Sequence, residues 1–208
     1  ASGRGAWPEA LGWRDTETLG AGAAPAPPDL SFPSDLAARL RARTRGLAGV
    51  EDIVFPEGRR LRLNRKSSAE KEHQLEALTD YLEARYAALG LKTRRLRFSY
   101  QGLPQSDLIA VIPGSLPPEK NRPVLLADHI DTAFAEDVFK ASGQRRSVPG
   151  ADDNAVATAA LLEAASVLKD SKPKHDLWLV HLTGEEYPAD DLGARALIRE
   201  LLAERRLL

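Results

Sequence analysis

The chain has 208 residues, 43% of them hydrophobic and 28% charged, and a formal net charge of −1. That balance argues against a general nucleic-acid or anionic-membrane binder, which would carry a basic surplus, and no apolar run approaches the roughly 18 residues of a spanning helix. Cysteine is absent, which excludes disulfides, Cys-zinc sites and thiol nucleophiles.

Residues 1–33 read as an extended Pro/Gly/Ala-rich arm. The run Gly20-Ala21-Gly22-Ala23-Ala24-Pro25-Ala26-Pro27-Pro28 has no apolar period and cannot form a core. Trp7 and Trp13 can pin the arm onto the body; the other reading is a loosely attached leader. The second domain, 34–208, opens at Ser34, the expected N-cap of a helix over 35–47. A short strand is expected around 59–63. Ser67 and Glu70 then make a capping-box pattern. Leu75, Leu78, Leu82 and Leu89 fall on one helical stripe, and Gly90 is a natural stop. Strands are expected over 92–99, 108–112 and 124–127, followed by a long loop to about Gly150. The segment 155–168 is apolar almost all round and reads as a buried helix. An apolar strand over 177–182 follows, with His181 as its only polar residue, and a last helix covers 191–205. Strands alternating with helices point to an α/β sandwich on a mixed sheet.

The chemistry is concentrated in three short motifs. Asp128-His129-Ile130-Asp131 ends one apolar strand. Gly150-Ala151-Asp152-Asp153-Asn154 precedes the buried helix. Gly184-Glu185-Glu186 ends another apolar strand. Loops beyond the carboxyl ends of strands are where ligands sit in α/β sheets, so three converging clusters of His and carboxylate form a candidate metal site. Residues two apart in extended chain share a face, which places Asp131 to hold the second nitrogen of His129. Glu185 and Glu186 are adjacent, so their side chains diverge: one can bind a metal while the other serves as general base. A carboxylate between the His strand and the Glu strand can bridge two cations.

The strings Leu125-Leu126-Ala127-Asp128-His129-Ile130-Asp131, Pro149-Gly150-Ala151-Asp152-Asp153-Asn154 and Thr183-Gly184-Glu185-Glu186 together resemble the co-catalytic zinc aminopeptidase family. That family includes bacterial leucyl aminopeptidases and glutamate carboxypeptidase, with glutaminyl cyclases as relatives. The resemblance covers roughly residues 35–208 and implies a three-layer α/β/α sandwich around a mixed, mostly parallel sheet. It implies two zinc ions: His129 on the first, Glu186 on the second, and Asp153 bridging both through a residue whose peptide to Asn154 is cis. It implies Glu185 as general base, Asp131 as the support of His129, and Asp152 as a loop or capping residue.

The family's remaining ligands come from later strands, so the chain is expected to be the N-terminal part of the catalytic domain and to need a C-terminal complement or second chain. The stripe Leu197, Ile198, Leu201, Leu202 points the same way, since it wants a partner surface. Asp190 and Asp191 are expected to cap the last helix. His181 is expected to be a satisfied core residue, and His175 and His73 to be solvated. The function implied is metal-dependent hydrolysis of N-terminal peptide bonds, with a peptide as substrate. Glutaminyl-cyclase-like aminoacyl transfer with one zinc, and a non-catalytic binding protein on the same fold, are the alternatives. A start at Ala1 behind a Pro/Gly/Ala arm suits an exported protein, extracellular or periplasmic.

Overall fold

The computed structural model describes residues 33–63, 74–133, 140–143 and 148–203. The arm with Trp7 and Trp13, the Ser67/Glu70 capping box, His73 and the end of the last helix lie outside the described residues.

Helix α1 (Leu36–Leu47) is built from Ala, Leu and Arg, all strong helix formers. Its N-cap is Asp35 rather than the expected Ser34, and no side-chain capping bond forms there. A small antiparallel ribbon follows, β1 (Asp52–Val54) with β2 (Arg60–Arg62). Only β2 was expected, although both strands are three residues long. Helix α2 (Leu75–Ala88) buries Leu75, Leu78, Leu82 and Tyr86 along one stripe. It ends at Gly90, whose φ of 78° is the left-handed stop expected there.

Strands β3 (Lys92–Tyr100) and β4 (Leu103–Ile112) form a long hairpin. Its two turn residues, Gln101 and Gly102, both have positive φ, the twist that a tight antiparallel hairpin needs. Strand β5 (Val124–His129), helix α3 (Val156–Leu168) and strand β6 (Leu177–Leu182) complete a crossover unit in which β5 and β6 run parallel. The sheet order is β3-β4-β6-β5. It is mixed, as expected, but among the described strands two pairings are antiparallel and one is parallel. The hairpin and the return of β6 beside β4 decide this, and neither is legible in hydrophobic periodicity.

Three layers result. Leu108, Ala110 and Ile112 of β4 and Leu179 of β6 face α1, α2 and α3. Ile109 of β4 and Trp178 and Val180 of β6 face the last helix, α4 (Leu192–Ala203). The alternation along β4 and β6 sends successive side chains into two cores. Helix α4 therefore corrects an expectation: Leu197 and Leu201 are already buried in this chain, and only Ile198 and Leu202 remain exposed. Helix α3 is also less enclosed than its composition suggests. It buries Thr158, Ala159, Leu162, Glu163 and Ala165 on one face, while Val156 is exposed. Its Glu163 is buried because Arg39, at 3.1 Å, and Arg43 of α1 both pair with it. On β5, Val124, Leu125 and Leu126 are exposed, since that strand is the sheet's edge among the described residues.

His181 is fully buried and satisfied, as expected. Its Nδ1 donates to Asp128 Oδ1 at 2.6 Å, which fixes the tautomer and leaves Nε2 to accept from the Tyr86 hydroxyl at 2.6 Å. This chain ties α2 to β6 and β5. His175 is half-buried rather than solvated: its Nδ1 accepts the Arg122 amide at 2.9 Å.

Candidate metal centre

The three motifs meet at one end of the sheet. His129 is the last residue of β5, and its side chain is largely covered. Its Nε2 lies 2.9 Å from Asp153 Oδ1 and 3.8 Å from Glu185 Oε2. Its Nδ1 lies 3.6 Å from Asp131 Oδ1, an ion-pair distance rather than a hydrogen bond. His129, Asp153 and Glu186 each offer a ligand atom, and these atoms all lie within 4.8 Å of one another.

Local structure explains each placement. The turn before α3 is a wide one, Ala151–Ala155, entered through Gly150 with φ 57°. A Cβ at Gly150 would meet Asp153 O and Thr132 Cγ2 at 2.5 Å, so only glycine fits. The Asp153–Asn154 peptide is cis, as the resemblance implied. Asp153 is mostly exposed and reaches His129, while Asp152 is an exposed turn residue.

The Glu185–Glu186 turn hangs from a buried carboxylate. Asp131 accepts the Glu185 amide at Oδ1 and the Glu186 amide at Oδ2, each at 3.2 Å, and is itself 0% exposed. Sequence reasoning assigned Asp131 to His129 alone; its grip on the two glutamate amides appears only in three dimensions. A second anchor was missed. Asp107 Oδ1 of β4 accepts the Thr183 amide at 2.8 Å. Its one sequence signal is an Asp directly before the apolar run Leu108-Ile109-Ala110. Asp191 stands at the expected cap position, its carbonyl accepting the Arg195 amide at 2.9 Å, but both it and Asp190 have positive φ, and their amides reach back to Glu185 O and Glu186 O.

Electrostatics follow from this crowding. Burial disfavours the His129 imidazolium, but Asp131, Glu185 and Asp153 outweigh it and push its pKa up to about 9. Burial would raise Asp131, yet His129 and the amides of Glu185 and Glu186 hold it below its ordinary value. Burial, with the charges of Asp153 and Glu185, pushes Glu186 up to about 6. Glu185 is raised by burial and by Asp131, Asp191 and Asp153, against His129. Glu186 Oε1 is buried without a hydrogen-bond partner among the described residues. Three anionic or nitrogen donors converging with one oxygen left over suit a cation of borderline softness such as zinc.

Residues 107–206 match the family model Peptidase family M28. That match takes in just under half of the chain. It is 27% identical over 130 residues to "Uncharacterized protein YfbL" of Escherichia coli (strain K12), covering 61% of this chain and 38% of that protein. Its fold is similar to a glutaminyl cyclase from Fimbriiglobus ruber, with TM-score 0.62 and 20% identity, covering 89% of this chain and 62% of the other. It is also similar to a Zn-dependent exopeptidase from Parabacteroides distasonis, with TM-score 0.56 and 20% identity, covering 79% and 56%. The chain thus spans between about four and six tenths of the length of these relatives. The matched region includes His129, Asp131, Asp153, Glu185 and Glu186.

Proposed function

We propose that this chain carries part of the active site of a zinc-dependent aminopeptidase. The observation that supports it best is the convergence of His129, Asp153 and Glu186 within 4.8 Å, with Glu185 Oε2 at 3.8 Å from His129 Nε2. In this reading His129, Asp153 and Glu186 would hold the zinc, and zinc held there would supply a Lewis acid for the scissile carbonyl and acidify water. Glu185, partly exposed beside the cluster, takes the proton of the attacking water and returns it to the leaving amine. Asp131 orients both ends of this machinery, since it faces His129 and holds the amides of Glu185 and Glu186. Among the described residues a two-zinc site sharing Asp153 would have two protein ligands per ion, one short of the three that catalytic zinc normally takes.

Glutaminyl cyclisation is the second reading, supported by the solved glutaminyl cyclases of similar fold. Metal stoichiometry separates the two: two ions for the peptidase, one for the cyclase. The test is the complete protein, assayed on an aminoacyl chromophore and on a glutaminyl peptide, with Glu185→Gln alongside. Aminoacyl hydrolysis that falls on the order of 10²- to 10⁴-fold in Glu185→Gln, with metal content unchanged, supports the reading. Unchanged turnover in the variant removes Glu185 as the base.

A further inference from the structure

The turn that presents Glu185 and Glu186 is suspended from two buried carboxylates, and they stand in different surroundings. Asp131 faces His129 and accepts two amides, so its negative charge is compensated. Asp107 has no such compensation. It is 0% exposed, accepts one amide at Oδ1, and its Oδ2 has no hydrogen-bond partner among the described residues. It makes no ion pair among them either. The groups facing it are Asp131 from the loop after β5 and Glu200 from α4, both acidic. Glu200 is itself paired with Arg94 of β3.

The packing around Asp107 is close. Thr183 is held three ways: its amide by Asp107, its hydroxyl by donation to Ser106 O at 2.8 Å, and its carbonyl by the Gly193 amide at 3.0 Å. A Cβ on Gly193 would fall 2.4 Å from Asp107 Oδ1, so α4 begins directly against the carboxyl group. No donor among the described residues meets Oδ2, and an anionic oxygen buried without one is costly.

We propose that Asp107 is a positioning residue that keeps its proton in the folded protein, holding Thr183 and with it the Glu185–Glu186 turn as a neutral acid. The two carboxylates divide the task as environments dictate: the one beside a cation keeps its charge and the one beside anions keeps its proton. Burial pushes Asp107 up to about 7 and Asp131 and Glu200 add to the rise, against the Thr183 amide, which favours the anion. Ionisation above that range sets two buried anions against each other and loosens the turn from β4. The importance of that turn rests on the reading given under Proposed function; the protonation state does not.

The test is carbon and amide NMR on the metal-free chain, following the Asp107 carboxyl carbon and the Thr183 amide from pH 4 to 10. An acid about a thousandfold weaker than an ordinary Asp is expected, with the carboxyl midpoint near neutrality and a Thr183 amide component sharing it. His129 and Glu186 also titrate, so Asp107→Asn is the control. The amide preserves Oδ1 and is neutral at every pH, and the shared component should vanish from Thr183 in that variant. A carboxyl midpoint at or below pH 4 overturns the proposal. So does a Thr183 amide that ignores the Asp107 titration, or one that keeps the component in Asp107→Asn. If the variant fails to fold, the two wild-type titrations still decide. None of these readings depends on metal or substrate, so they stand or fall separately from the peptidase assignment.

Discussion

Replacing Asp131 by Asn should destabilise the metal-free chain by an amount that depends on pH. Asn keeps one acceptor, so one of the two glutamate amides loses its carboxylate and meets an NH₂ donor instead. A hydrogen bond to a charged acceptor is worth about 1.5–3 kcal/mol, and this cost applies at any pH. The second cost is the pairing with His129. Carrying that imidazole from an ordinary 6.5 to about 9 favours the folded state by on the order of 3 kcal/mol when both states are protonated. Because the folded value is the raised one, this contribution is complete below about pH 6.5 and is lost as pH climbs through 9. Asp131 is the leading source of the rise, so Asp131→Asn should cost about 4 kcal/mol at pH 6 and about 2 kcal/mol at pH 9.5. Urea unfolding in the presence of a chelator measures both. Equal losses at the two pH values, or a larger loss at pH 9.5, would refute the account of Asp131 as the charge partner of His129.

Tyr86→Phe leaves His181 Nε2 buried without its donor, and should lower stability by about 1–3 kcal/mol, seen as a drop in thermal midpoint. Leu82→Ala opens a cavity at a fully buried position of the α2 stripe and should cost about 2–5 kcal/mol in the same assay. Zinc binding should release protons near neutrality, since His129 titrates near 9 and must be neutral to ligate; affinity should rise with pH up to that value. Calorimetry in buffers of different ionisation enthalpy counts those protons, and a count of zero at pH 7 contradicts His129 as a ligand.

Local sequence determined the parts of this protein that depend on neighbours in the chain. The Leu75, Leu78, Leu82 stripe and Gly90 are enough for α2, because helical period and a left-handed stop are properties of a dozen consecutive residues. Three motifs at three element ends were likewise enough to mark a candidate metal site, and the family resemblance picked His129, Asp153 and Glu186 within them, whose ligand atoms do converge. What tertiary structure alone decided is how distant carboxylates share one buried space. Asp131 grips two amides 54 and 55 positions away, and Asp107 reaches Thr183 across 76. The same holds for the sheet: β4 is covered on both faces, so its apolar run carries no alternation from which pairing or direction can be inferred. Leu197 and Leu201 showed a helical stripe in sequence, but only the position of α4 over Ile109, Trp178 and Val180 says which half of that stripe is buried. A charge's partner, a strand's neighbour and a helix's covered face are set by long-range packing, and hydrophobic period does not encode them.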